Sequence, residues 1–411
     1  MFLKTISFVG AFALLGSTAI AGCGISNGSV SVLSNDFPAI QAVTSAAASC
    51  AGDGVTVKTN LTKDHKDIMV AALTANPAQY SSVIVSNSTL VTLMNDGLVR
   101  PLDEMVAKHG AALSKSQLIT VNGKVMAVAF MANAQHLFSR TDVLEAAGVD
   151  GIPATYEDVL AAAEKIRAAG LMEYPVALNT KAGWNLAEEF VNMYMGTGAD
   201  FFKAGTAEAA VNNENGVATL DMLKSLVAYS NPDYLTYDSN ATQAEWEAGN
   251  LALATMWGSR GSAVLDDEGS TAEVVSGTVL SAAPTWGNGA RPASTLWWDG
   301  IAISTNVSDE DAEATFVAMM NGISSDVVKA NNAAAVWLDG AYMPSPASAG
   351  VAGTASGGAA PYPMLPFMGA LHTALGAEIT DFLQGSESAK QALADVEAAY
   401  IAAAKEQGFL K

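Results

Sequence analysis

The sequence is poor in charged residues, and basic residues are scarcest. Only 15% of the 411 residues are charged, and 20 Lys and Arg stand against 41 Asp and Glu, which gives a formal net charge of −21. No basic run is present, which argues against a nucleic-acid or anionic-membrane binder. Half of the residues are hydrophobic, so the chain is neither disordered nor a coiled coil, and its length predicts two or three domains with an ample core.

Long hydrophobic runs are lacking beyond the N-terminus. Residues 6–15 are apolar, Lys4 supplies a positive charge before them, and Ala19-Ile20-Ala21 matches a signal-peptide cleavage site. No later run reaches the roughly 18 apolar residues that a membrane span requires. The sequence therefore predicts a signal peptide over 1–21 and a soluble mature protein in the periplasm.

Cysteine is nearly absent, since the sequence holds only Cys23 and Cys50. In an exported chain an even number of cysteines favours a disulfide. Cys50 also lies where a first helix would return to the start of a first strand. A bond closing this loop would stabilise the fold by roughly 3–4 kcal/mol in the chain-entropy model. The alternative is a lipoprotein box ending at Cys23, with Cys23 lipidated and Cys50 free.

Signatures of catalysis are lacking as well. The sequence contains no P-loop, no dinucleotide fingerprint and no H-E-x-x-H motif, and its four histidines show no metal-ligand spacing. Residues 24–28 match G-x-S-x-G, but they precede the first strand instead of forming a strand-to-helix elbow. We therefore predict no enzyme, no cofactor and no metal site. A glycoside-acting enzyme with two cleft carboxylates remains an alternative, because sequence does not reveal spatial separations.

The order of elements in the first third of the chain indicates an α/β fold. Predicted strands at 30–33, 55–60 and 82–85 alternate with helices at about 39–49 and up to about 74, as in right-handed βαβ units with a parallel sheet. Polar residues follow each strand, at the end where such sheets bind ligands.

The middle and late parts of the chain predict a second βα series. A hairpin with an Asn122-Gly123 turn leads into residues 130–134, for which we predict an irregular link between the two series. Thr155 is the predicted cap of a helix at 156–169. Residues 344–363 are rich in Gly, Ala, Pro and Ser, a composition that predicts a loop over the surface.

The stretch 245–263 holds the clearest candidate ligand site. Residues 251–256 form a predicted buried strand, and Trp257-Gly258-Ser259-Arg260 follow at its carboxyl end. A tryptophan there offers a flat apolar face, and an arginine offers a planar fork of donors. Together they suit a polyhydroxylated ring, although Trp257 in the core and Arg260 on the surface would be the alternative.

Three segments resemble the extracellular solute-binding proteins of ABC importers, in the sugar-binding, maltose-binding-like group. Residues 136–149 followed by Pro153-Ala154-Thr155-Tyr156-Glu157-Asp158 are similar to the family's strand–helix and P-x-T-[WY]-[ED]-[ED] signature. Residues 247–258 resemble its F-x-x-G-x-x-A-M-x-x-x-G segment, and residues 299–304 its late G-x-x-I-S strand. The family's Y-N pair is Phe138-Ser139 here, which leaves the identity of the ligand open.

The resemblance implies two α/β lobes, each a sheet flanked by helices, joined by a hinge of several crossings and closing on a ligand. The expected lobes are 22–131 plus about 299–336, and 133–297 plus about 340–411. The implied partners are a small-molecule carbohydrate and the membrane permease subunits of an ABC transporter. We expect a monomer that does not bind nucleic acid.

Sugar sites need flat apolar faces with planar polar groups at their edges. We predict stacking by Trp184, Trp257 and Trp298, and hydrogen bonds from Asp36, Asn87, Asn133, Arg260 and Asp299, with Trp337 and Lys63 as further candidates. The alternatives are core packing for the tryptophans and turn or capping roles for Asp36 and Asn87. The expected ligand is an uncharged sugar, oligosaccharide, polyol or glycoside; the alternative is a charged solute such as a sugar phosphate or a zwitterion.

Overall fold

The computed structural model describes residues 23–286 and 289–411, which form two α/β lobes whose sheets are flanked by helices. The predicted signal peptide lies outside the described residues. Within the described ranges, no helix combines the length and apolar character needed to cross a membrane.

The first part of the chain builds most of one sheet. Its elements are β1 (Gly28–Ser34), α1 (Pro38–Ala48), β2 (Val55–Leu61), α2 (His65–Thr74), β3 (Ser82–Ser86), α3 (Asn87–Asn95), α4 (Asp103–His109), β4 (Leu118–Val121) and β5 (Lys124–Asn133). The strand β1 pairs in parallel with β2 and β3, which confirms the predicted βαβ rhythm. Val30, Val32 and Leu33 of β1 are fully buried, because helices cover both faces of the sheet.

The predicted hairpin is confirmed, but the predicted irregular link is not. Asn122 and Gly123 adopt φ of 50° and 76°, as a two-residue hairpin turn requires. The strand β5 then continues to Asn133, so the prediction of an irregular segment at 130–134 is wrong. Residues 128–133 are held in extended form by pairing with a strand from much later in the chain, which local sequence does not reveal.

The second sheet begins directly afterwards. Its part of the chain contains β6 (Gln135–Arg140), α5 (Thr141–Ala146), α6 (Tyr156–Ala168), β7 (Val176–Ala177), α7 (Trp184–Gly196), α8 (Glu214–Val227), α9 (Ser239–Glu247), β8 (Leu253–Trp257), α10 (Gly261–Val264), α11 (Ala272–Gly277) and β9 (Thr278–Ser281). These strands lie in the order β7-β8-β6-β9. Thr155 caps α6 as predicted, since its side chain accepts a hydrogen bond from the Asp158 backbone.

The remaining chain returns to the first sheet and then leaves it again. It contains β10 (Thr295–Ile303), α12 (Asp309–Gly322), α13 (Ser325–Ala330), β11 (Val336–Trp337), α14 (Ala349–Ser356), β12 (Ala360–Pro361), α15 (Met368–Leu383) and α16 (Ala389–Glu406). The strand β10 lies antiparallel between β3 and β5, in the order β11-β5-β10-β3-β1-β2. The helices α15 and α16 pack against α7 and α8 of the second lobe.

Residues 344–363 are not the surface loop that their composition predicts. They contain α14, which packs against β6 and β9 and buries Val351 and Thr354. The small residues allow α14 to approach β6 closely, because a Cβ on Gly350 would lie 2.1 Å from the His136 ring.

The two cysteines are joined in a disulfide, as predicted. Cys23 and Cys50 lie 5.2 Å apart at their Cα atoms, and Cys50 is fully buried just beyond the end of α1. The bond therefore ties the segment before β1 to the first helix, and the alternative with a free Cys50 does not apply to this structure.

Candidate functional site

A cavity of about 580 Å³ lies between the two lobes. The first lobe contributes the end of β1, the start of α2, the end of β3 and Asp299 of β10. The second lobe contributes the start of α7, the segment before α9, and the turn that follows β8. The parallel strands β1 and β3 thus present their carboxyl ends to the cavity, where open α/β sheets bind ligands.

Three tryptophans form an aromatic wall of the cavity. Trp184 is the first residue of α7, Trp257 ends β8, and Trp297 lies in β10. The rings of Trp184 and Trp257 are 6.4 Å apart and tilted by 26°. Trp297 stands edge-on to both, at 5.7 Å from each. The wall therefore combines flat faces with a perpendicular ring and suits a ligand with apolar ring faces.

Two groups lie over the Trp184 ring: His372, which does not line the cavity, and Lys66, which does. His372 stacks on the ring at 4.8 Å, is buried, and does not line the cavity. Burial lowers the pKa of His372 to about 3, so the ring is neutral and its Nε2 donates to the Trp184 carbonyl at 2.9 Å. The Nζ of Lys66, a residue that lines the cavity, lies 3.5 Å from the same ring centroid.

A lysine and two carboxyl groups lie close to the aromatic wall, and two of the three, Lys66 and Asp299, line the cavity. Burial lowers the pKa of Lys66 to about 8, against the opposing influence of Glu188 and Asp299. Burial also raises the pKa of Asp299 to about 7 and that of Glu188 to about 8. The Oε1 of Glu188 accepts hydrogen bonds from Thr295 and from the indole of Trp297 at 2.7 and 3.0 Å. Near neutral pH, Asp299 can therefore either donate or accept a hydrogen bond.

Arg260 extends from the short turn after β8. It donates to Gln243 at 3.4 Å, while its buried Nε has no hydrogen-bond partner among the described residues. Burial lowers its pKa, and the carboxylates of Asp238, Glu247 and Asp36 oppose that effect. The guanidinium thus retains donor capacity toward a bound molecule.

The structure brings most of the predicted site residues to one place. The residues from that set that line the cavity are Asp36, Lys63, Asn133, Trp184, Trp257, Arg260 and Asp299. Asp36 is exposed and accepts a hydrogen bond from Gln41. Asn133 is already engaged, because it bonds the backbone of Ala134 and both the backbone and hydroxyl of Ser259.

Three predicted residues lie elsewhere. Asn87 accepts a hydrogen bond from the Trp298 backbone at 3.0 Å and so holds β10 against α3. The Trp298 side chain packs on the first-lobe core formed by β1, α2 and β3. Trp337 is buried and donates to the Asn331 carbonyl at 2.9 Å. None of these three side chains lines the cavity. Trp298 and Trp337 therefore match the alternative of core packing, and Asn87 matches the alternative of a structural role.

Sequence reasoning missed Trp297 and Lys66. Adjacent residues of a strand point to opposite faces of the sheet, so Trp297 and Trp298 cannot both face the cavity. The sequence pattern does not reveal which of the two does. Lys66 belongs to the polar run that follows β2, and that position was its only signal. Sequence reasoning also missed Lys181 and Asp238, which form an ion pair at 3.2 Å and line the cavity. Lys181 follows the strand β7, and Asp238 directly precedes α9.

Solved structures with the same architecture are binding proteins. A maltose-bound protein of T. maritima superposes with a TM-score of 0.79 at 17% identity, covering 90% of this chain and 98% of that one. A solute-binding protein from Agrobacterium radiobacter K84 in complex with ribitol has a TM-score of 0.78 at 20% identity, covering 93% and 100%. The fold is therefore that of the two-lobed solute-binding proteins.

The chain belongs to the family described as "Bacterial extracellular solute-binding protein", whose sequence profile matches residues 38–323. This confirms the resemblance drawn from the sequence, and it places the protein in a class of exported binding proteins. A protein of Deinococcus radiodurans named "Probable ABC transporter-binding protein" is 26% identical over 208 residues, 49% of each chain. The match thus spans about half the length of that curated relative.

Proposed function

We propose that this protein captures an uncharged carbohydrate or polyol in the cavity between its lobes and delivers it to the permease subunits of an ABC importer. One observation carries the proposal: Trp184, Trp257 and Trp297 form an aromatic wall within reach of Asp299 and Arg260. The cavity volume lies within the range of about 300–1,000 Å³ that is usual for small-molecule sites. The maltose and ribitol complexes of structural relatives support the same ligand class.

The charges around the cavity support a ligand without net charge. Four cationic side chains line it, and five carboxyl groups face them: Lys63, Lys66, Lys181 and Arg260 against Asp36, Asp64, Asp67, Asp238 and Asp299. Because the two signs nearly balance, the cavity offers no strong field for an anion or a cation. A sugar phosphate or zwitterion is therefore the weaker candidate.

The proposal includes the setting in which the protein works. A signal peptide over 1–21 would direct it to the periplasm, where it would act as a monomer that binds without catalysis. The proposed lobes are 22–131 plus about 299–336, and 133–297 plus about 340–411. In support, the backbone passes from one sheet to the other between β5 and β6, and again between β9 and β10.

Calorimetry on two matched variants tests the site. We propose that Trp257→Leu weakens binding about tenfold or more, because it removes a stacking face worth around 1 kcal/mol together with its buried area. Trp298→Leu is the control, since Trp298 is half-buried like Trp257 but packs in the first-lobe core. Equal affinities for the wild type and Trp257→Leu would remove Trp257 from the site.

A thermal-shift screen over maltose, ribitol and other sugars and polyols tests the ligand class, because a bound ligand raises apparent stability by mass action. We expect at least one member to raise the midpoint in a concentration-dependent way. A screen in which only phosphorylated or zwitterionic solutes do so would replace the uncharged ligand with a charged one. Release of reducing ends from glycosides would indicate an enzyme instead.

A further inference from the structure

We propose that Lys66 sets the ligand affinity of this protein by competing with a sugar ring for the cavity-side face of Trp184. The inference rests on the proposed function, because it concerns the same cavity. Lys66 would act on affinity by occupying the Trp184 ring, and not by hydrogen bonding to the ligand.

The competition follows from the geometry of the Trp184 ring. His372 stacks on the ring, is buried and does not line the cavity, so a sugar ring in the cavity would meet Trp184 where Lys66 covers it. The ammonium of Lys66 is 3.5 Å from the ring centroid, so it occupies space that a ring stacked on Trp184 would need. The ammonium and a sugar ring therefore exclude each other at this face.

The contact also joins the two lobes. Lys66 belongs to α2, whose residues Met69 and Leu73 pack in the first-lobe core, while Trp184 begins α7 in the second lobe. A cation over an indole stabilises a partly desolvated contact by roughly 0.5–2 kcal/mol. The contact therefore favours closed lobes, and a ligand that displaces it loses that contribution from its own binding free energy.

Charged groups from every neighbouring element act on this ammonium. Glu188 of α7 and Asp299 of β10 face it from the second and first lobe, and Asp67 lies on its own helix; all three favour the charged form. His65 and His372 are kept neutral by burial, with pKa values of about 4 and 3. Lys66 therefore carries its charge at neutral pH and loses it above about pH 8.

Small-angle X-ray scattering on the protein without added ligand tests the closing contact. We expect Lys66→Ala to shift the radius of gyration upward, and Lys66→Arg, which keeps a cation over the ring, to leave it unchanged. Lys58→Ala is the matched control, because Lys58 is an exposed lysine of β2 in the same lobe and does not line the cavity. Equal radii for the wild type and Lys66→Ala would overturn the inference.

Calorimetry with maltose and with ribitol as probes tests the competition. Lys66→Ala should bind the active probe about three- to tenfold more tightly than the wild type, in line with the loss of one cation–π competitor, and Lys58→Ala should bind it as the wild type does. Unchanged or weaker binding by Lys66→Ala would show that Lys66 helps to hold the ligand and would overturn the inference. If neither probe binds the wild type, the calorimetry is repeated with a sugar or polyol that raises the midpoint in the thermal-shift screen. If that screen finds no uncharged ligand, the proposed ligand class fails, while the scattering comparison still decides whether Lys66 holds the lobes closed.

Discussion

The contact between Gly350 and His136 allows a sharp test of how α14 supports the second lobe. Replacing a glycine by alanine inside a helix normally stabilises it by about 1 kcal/mol. At Gly350 the new Cβ would lie 2.1 Å from Nδ1 and 2.3 Å from Cγ of His136. The ring is fully buried and stacked on Phe138 at 4.5 Å, so it has little room to withdraw. We expect Gly350→Ala to destabilise the protein by about 1–3 kcal/mol, as overpacked cores do.

Urea unfolding followed by tryptophan fluorescence measures this change, with Gly369→Ala as the control. Gly369 also lies in a helix, α15, but it is exposed and a Cβ there would meet no atom within 4 Å. The control should be neutral or more stable by up to about 1 kcal/mol. If Gly350→Ala behaves like the control, α14 does not pack on β6 as described.

The remaining predictions concern stability. Cys50→Ser should cost roughly 3 kcal/mol in urea unfolding, and a reducing agent should lower the stability of the wild type but not of the variant. Thr155→Ala should cost about 1 kcal/mol through loss of the α6 cap, and an unchanged midpoint would contradict the capping role. Burial holds the pKa of His136 at about 4, below its ordinary 6.5, so the unfolded chain takes up this proton first and stability falls as the pH drops from 6.5 toward 4. The wild type should lose up to roughly 3 kcal/mol more than His136→Asn over this interval; parallel pH profiles for the two proteins would show that His136 is not buried in its neutral form.

Local patterns were sufficient for much of the fold. The alternation of β1, α1, β2, α2 and β3 followed from apolar runs separated by polar turns, and the structure confirms those elements. The Asn122-Gly123 turn and the Thr155 cap were predictable because each depends on residues within four positions of one another. Composition misled at 344–363, where small residues allow a helix to approach β6 instead of forming turns.

The candidate site was predictable only in part, and the adjacent tryptophans show why. The pleat of a strand requires Trp297 and Trp298 to point in opposite directions, but which side meets the cavity depends on where β10 enters the first sheet. That position is set by pairing with β3 and β5, more than 150 residues earlier in the chain. The role of Lys66 was not predictable for the same reason, because its contact with Trp184 joins residues of two different lobes.

By itself, the sequence determined the α/β class, the elements of the first sheet, a disulfide as the favoured state of its two cysteines and seven of the residues that line the cavity. These features depend on periodicity, on short capping and turn motifs, and on polar residues that follow strands. Only the tertiary structure decided the insertion of β10, the packing of α14, the choice of Trp297 over Trp298 and the position of Lys66 over Trp184. Each of these depends on contacts between segments far apart in the chain, whose relative positions are set by packing and not by local conformational preference.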